Sequence, residues 1–172
     1  MNNPSTKRFT REIKAWISYD LGNSAFATTV VAAFFPIFYN QYWASNIDSV
    51  VSAQYLSWTL VISNVTLLFT APLIGAITDI SKTTKKLFIS MVVISIICVA
   101  LLYTLEAGSW LYALVFFGIA NYFFSASNVL YDKILVQIAS PDLFSKISGY
   151  GFAWGYFGGG LLFLVNALMS LY

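Results

Sequence analysis

Carboxylates are rare inside apolar runs, yet Asp20 and Asp132 each stand in one. Around them polar residues recur at helical spacing. Asn121, Ser125, Asn128 and Asp132 fall at i, i+4, i+7 and i+11, along one stripe of a helix. Asp20, Ser24 and Thr28 make a similar line at intervals of four, with Asn23 beside it. Such a stripe does not face lipid; it faces a bundle interior or an aqueous cavity. Two kinds of chemistry fit. One is a path for a small solute or ion between these helices, with Asp20 or Asp132 taking up and releasing a proton. The other is hydrogen bonding between helices, with both aspartates ionised near the interface.

Catalytic chemistry finds less support. The pairs Tyr19-Asp20 and Tyr131-Asp132 supply carboxylates of the kind that share acid and base roles, but a GxGD partner sequence is missing. The chain has no histidine, so a Ser-His arrangement is impossible, and its glycine run lacks the Lys-Ser/Thr that follows in a phosphate loop. With Cys98 as the single cysteine, neither a disulfide framework nor a Cys/His metal cluster can form. The expectation is a protein that is not an enzyme and holds no cofactor.

The elements that position these residues follow from composition. Of 172 residues 59% are hydrophobic and only 9% charged, and mean hydropathy is +0.75. A soluble bundle would need polar helix faces that these stretches lack. The formal charge of +2 gives no argument for nucleic acid. Five apolar stretches reach the ~20 residues of a bilayer-crossing helix, near residues 16–42, 55–79, 87–105, 110–132 and 149–171. Pro36 and Pro72 fall inside the first two, where membrane helices tolerate proline and often kink. Residues 1–15 form a basic N-terminal segment, and residues 16–172 form one domain with no linker.

All nine basic residues lie in alternate connections. Lys7, Arg8, Arg11 and Lys14 precede the first helix; Lys82, Lys85 and Lys86 follow the second; Lys133 and Lys146 lie between the fourth and fifth. The connections near residues 43–54 and 106–109 have neither Lys nor Arg. By the positive-inside rule the N-terminus is cytoplasmic and Tyr172 emerges on the far side. Trp16, Trp43, Trp110 and Tyr172 fall near helix ends, as interfacial aromatics do. A cleaved signal peptide does not fit the first stretch, which is too long and contains Asp20 and Asn23.

The run GYGFAWGYFGGG (149–160) places Gly151, Gly155 and Gly159 four residues apart on one ridge, with Gly158 and Gly160 off it. In lipid such a ridge lets a second backbone come close. It serves either static packing or a helix that slides against a partner. The segment GAITDISKTTKK, Gly75 to Lys86, reads as a tight cytoplasmic loop in which glycine permits close packing and the lysines reach headgroups. Asp79 and Lys133 fall on the same side of the membrane and are candidates to pair.

Three blocks carry a resemblance. WISYDLGNSAFATTVVAAFFPIFY (Trp16 to Tyr39), PLIGAITD (Pro72 to Asp79) and ISGYGFAWGYFGGGLLFLVN (Ile147 to Asn166) resemble the N-terminal part of the vacuole-effluxer family. That is the branch of the major facilitator superfamily related to the autophagy-linked vacuolar amino-acid effluxer. The resemblance implies an all-α integral membrane protein whose five helices form a partial N-terminal half of a twelve-helix fold. It also implies alternating access and amino acids as cargo. Gly75 and Asp79 carry over as gating-loop residues, with Lys85 and Lys86 following; Ile80, Lys82, Thr83 and Thr84 depart from the family pattern, as does the charge pair Asp132-Lys133. Five helices are fewer than half of such a fold, so the glycine ridge is expected to meet helices outside this chain, either a missing transporter half or a second copy. A bacterial inner membrane is the expected location. The other reading is a truncated, non-transporting membrane protein, a gene relic or a small helix-packing scaffold.

Overall fold

A computed structural model of the chain describes residues 9–169; the basic residues Lys7 and Arg8 and the expected interfacial Tyr172 lie outside that range. Five helices are long and apolar enough to cross a membrane: α1 (Arg11–Trp43), α2 (Ser49–Ser81), α3 (Thr84–Thr104), α4 (Trp110–Ile138) and α5 (Pro141–Met169). The described residues contain no strand.

Several helices run beyond the apolar windows because polar caps, which hydropathy does not register, set their ends. Thr10 Oγ1 accepts a hydrogen bond from the Ile13 N–H at 3.3 Å and starts α1 ahead of Trp16. Asp48 accepts from the N–H groups of Val50 and Val51 at 2.9 and 3.3 Å, so α2 begins at Ser49. Lys82 ends α2 in the left-handed region, φ 52°, where a glycine would be more usual. Within α1 the winding changes twice, to a π-helix over Phe26–Phe34 and again over Tyr39–Trp43.

The chain forms two compact units, one holding the residues up to Val30 and from Leu135 on, the other Val31–Ile134. In the first, the start of α1 packs along α5, with Ile13, Trp16, Ile17 and Ile147 buried. In the second, Ile74, Met91, Ala126 and Leu130 form a core flanked by Leu67, Leu87, Phe88 and Phe123. Hydrogen bonds from side chain to backbone tie its helices together: Ser63 Oγ donates to the Gly118 carbonyl (2.9 Å) and Ser95 Oγ to that of Ala120 (3.0 Å). In a bilayer, where apolar burial gives little net drive, these contacts and small residues hold helices together. Leu68 and Phe69 stay largely exposed on α2, as lipid-facing side chains do.

Two tryptophans correct the interfacial reading. Trp16 and Trp43 are each only 7% exposed, enclosed by protein. The ring of Trp43 lies 5.7 Å from that of Phe35, which itself stacks on Phe117 at 3.7 Å.

Candidate functional site

In the first unit the polar line of α1 and the glycine ridge of α5 meet each other. Asp20 is 9% exposed. A Cβ added at Gly151 would come within 3.0 Å of the Trp16 ring and 3.2 Å of Asp20 Oδ2. At Gly155 it would collide with Ser24 Oγ and stand 3.3 Å from Asp20 Oδ2; at Gly159 it would stand 3.1 Å from Thr28 Oγ1. Thr28 Oγ1 donates to the Ser24 carbonyl at 2.9 Å and lies 3.5 Å from that of Gly159. Asn23, next to this line, has its Oδ1 enclosed with no hydrogen-bond partner among the described residues.

This arrangement corrects two expectations. The ridge does not wait for a helix outside the chain: α1 occupies it, because glycines without Cβ let the α1 backbone and its short polar side chains come against α5. Gly158, expected off the ridge, makes the tightest approach, since a Cβ there would stand 2.7 Å from the Leu21 backbone oxygen. The face in use is Gly151, Gly155, Gly158 and Gly159, the i, i+4, i+7, i+8 pattern of a broad helix face.

The α4 stripe belongs to the second unit. Asn121 is buried at 5% exposure, Ser125 and Asn128 are half-buried, and Asp132 is exposed. Asn128 Oδ1 is enclosed without a hydrogen-bond partner among the described residues. The stripe thus leaves the interior before it reaches its carboxylate, so Asp132 stands apart from the amides.

At the end of α2 the structure gathers the loop residues around Lys133. Its Nζ lies 2.6 Å from Asp79 Oδ1 and donates to Thr78 Oγ1 at 2.7 Å and to the Gly75 carbonyl at 3.0 Å. An ammonium there sits toward the C-terminal end of α2, where the helix dipole favours positive charge. Gly75 serves through its carbonyl rather than its missing side chain: a Cβ there would meet nothing within 4 Å, which corrects the close-packing reading. Lys85 and Lys86 are exposed in the first turn of α3 and take no part in this cluster.

One feature escaped the sequence reading. Thr59, Ser63, Thr66 and Thr70 repeat on α2 at the spacing of the α4 stripe. Beside α4 the first three of them border a cleft of about 390 Å³, lined also by Gly118, Ile119 and Tyr122 among others. Tyr122 OH donates to Thr70 Oγ1 at 2.9 Å. Thr59 and Thr66 donate back to the carbonyls of Tyr55 and Ile62. Ser and Thr are only mildly polar and barely lower a hydropathy window, although the i, i+4, i+7, i+11 repeat is there to be read. Among the described residues no three His, Cys, Asp or Glu side chains cluster to hold a metal ion.

The chain is 33% identical over 166 residues to the uncharacterized MFS-type transporter YxiO of Bacillus subtilis (strain 168). That relative is named for transport. The match takes in 96% of this chain, which spans 39% of the relative's length. No family model matches the sequence. No solved structure matches it either. The chain is therefore a multi-pass membrane protein similar to a major-facilitator-type transporter.

Proposed function

We propose that this chain is the N-terminal portion of a secondary transporter of the major facilitator superfamily, working by alternating access with helices beyond these five. The observation that carries the reading is a likeness to an MFS-type transporter running through all five apolar helices. Amino acids are the cargo, a choice that rests on the resemblance of the three sequence blocks to vacuole effluxers. The distribution of lysine and arginine supports a cytoplasmic N-terminus, as in a bacterial inner membrane. Asp20 and Asn23 in the first unit, and Asn121 and Asn128 in the second, are each candidates to meet the solute or ion, while Gly75, Asp79 and Lys133 form the cytoplasmic gate. Of these, Asp20 is a carboxylate held against a glycine face, where its protonation bears directly on how α1 and α5 pack.

The test is reconstitution in proteoliposomes of this chain together with the part of the Bacillus relative outside the match, followed by flux of a panel of radiolabelled amino acids. Flux is expected from the pair and from neither part alone, and Asp20→Asn is expected to lower it at least tenfold. One other reading is a helix-packing membrane protein without transport of its own. Absence of flux from the assembled pair, with the intact relative active in the same vesicles, decides for that reading.

A further inference from the structure

Five side-chain polar atoms are enclosed without a hydrogen-bond partner among the described residues, and three of them lie in the π-wound stretches of α1: Thr29 Oγ1, Tyr39 OH and Trp43 Nε1. Buried phenol and indole groups ordinarily find partners, so each orphan calls for an explanation. Wide π turns are uncommon and concentrate where a helix has work to do. The second stretch, Tyr39–Trp43, falls wholly within the second unit and can be followed bond by bond.

There the Ala44 N–H donates to the Tyr39 carbonyl at 2.7 Å, a bond across five residues. An α-helical turn would give that carbonyl to the Trp43 N–H, and the Tyr42 carbonyl to the N–H of Asn46. Instead the Tyr42 carbonyl accepts from outside the helix, from the Gly108 N–H at 3.3 Å and Ser45 Oγ at 3.1 Å. Gly108 belongs to the connection between α3 and α4 and holds φ at +85°, a conformation that a residue with a side chain adopts only under strain. Tyr39 is 0% exposed, and its ring lies 5.8 Å from that of Phe35. The π winding thus buries Tyr39 and Trp43 beside Phe35, leaves both polar atoms unpaired, and is latched by a glycine from another connection.

We infer that Tyr39–Trp43 is a two-state turn, held π-wound by the Gly108 N–H and able to rewind as α-helix, which turns Trp43 out of the Phe35 cluster. Rewinding passes the Tyr42 carbonyl from Gly108 to Asn46, so hydrogen bonds are exchanged rather than lost. The rotated Trp43 carries its indole N–H toward water. The end of α1 is in this way coupled to the α3–α4 connection. The inference stands on the winding alone and does not depend on the transport reading.

The test is ¹⁹F NMR of the full chain in nanodiscs, with 5-fluorotryptophan at its five tryptophans and the Trp43 resonance assigned by its loss in Trp43→Phe. Two exchanging Trp43 resonances are expected. Removing the exposed Gln41, which shortens the turn by the residue that π winding adds, is expected to leave only the minor one. Gly108→Val, which strains the latch, is expected to raise the minor population several-fold. The other four resonances report whether each variant keeps its fold. A single Trp43 resonance with no exchange partner by saturation transfer overturns the inference, as does a Gln41 deletion that folds and leaves the major resonance in place.

Discussion

The contact between α1 and α5 gives the sharpest prediction, because its glycines differ in what a methyl group would meet. At Gly158 the methyl would arrive 2.7 Å from the Leu21 backbone oxygen and 3.0 Å from its Cα. Neither atom can rotate aside, so the helices must separate. Overpacking costs about 1–3 kcal/mol, while alanine in place of a helical glycine gains about 1 kcal/mol, so Gly158→Ala is expected to lose up to about 2 kcal/mol. At Gly160 nothing lies within 4 Å of the added carbon, so Gly160→Ala is expected to gain up to about 1 kcal/mol. Gly155→Ala falls between, since the atom it strikes is the Ser24 hydroxyl and the Ser24 Cβ stands back at 3.3 Å. Ser24→Ala should therefore rescue Gly155→Ala, whereas Leu21→Ala, which removes the nearby Cγ but leaves the backbone oxygen and Cα in place, should rescue Gly158→Ala only in part. Reversible unfolding in mixed dodecyl maltoside and dodecyl sulfate micelles, followed by helical circular dichroism, measures all of these. If Gly158→Ala proves as stable as Gly160→Ala, the packing described here is wrong.

Three further outcomes are expected. Lys133→Met removes contacts with Asp79, Thr78 and Gly75 together and should cost about 1–2 kcal/mol in the same assay. Asp79 is 73% exposed, so Asp79→Asn alone should cost about 0.5 kcal/mol, and strict additivity of the two would refute the pairing. At Gly118 an added Cβ would lie 2.9 Å from Thr59 Cγ2; Gly118→Ala should lower the melting temperature, and Thr59→Ser, which removes that methyl, should restore it. In a Cys98→Ser background of intact cells, a membrane-impermeant maleimide is expected to label Ser45→Cys directly and Ser81→Cys only after permeabilisation; the reverse pattern would overturn the cytoplasmic N-terminus.

Hydropathy made the five helices legible, because a bilayer demands long apolar runs and tolerates few charges within them. Polar spacing singled out Asp20, Ser24 and Thr28, and glycine spacing singled out Gly151, Gly155 and Gly159, but neither pattern says what lies opposite. Thr28 and Gly159 are 131 residues apart, and no local period records such a contact. Gly158 lies off the four-residue ridge yet against Leu21, because such a ridge is narrower than the face two close helices share. The burial of Trp43 has another origin: a tryptophan at a helix end looks interfacial unless the winding of that end is known, and π turns have no composition signature. Lys133 was easier to place, since a cation on the same side as Asp79 has few other partners in so apolar a chain.

The pairing of α1 with α5 also orders events during synthesis. Of these five helices, the first to leave the ribosome has the last as its partner, while α2, α3 and α4 find each other locally. Until α5 arrives, the face of α1 with Asp20 has no glycine ridge to lie against, and a carboxylate facing lipid is poorly tolerated. Contacts of such wide separation form late. The nascent chain must therefore shelter α1, at a shallow depth or beside the insertion machinery, for the time it takes to make more than a hundred residues, and every step that delays α5 lengthens that exposure.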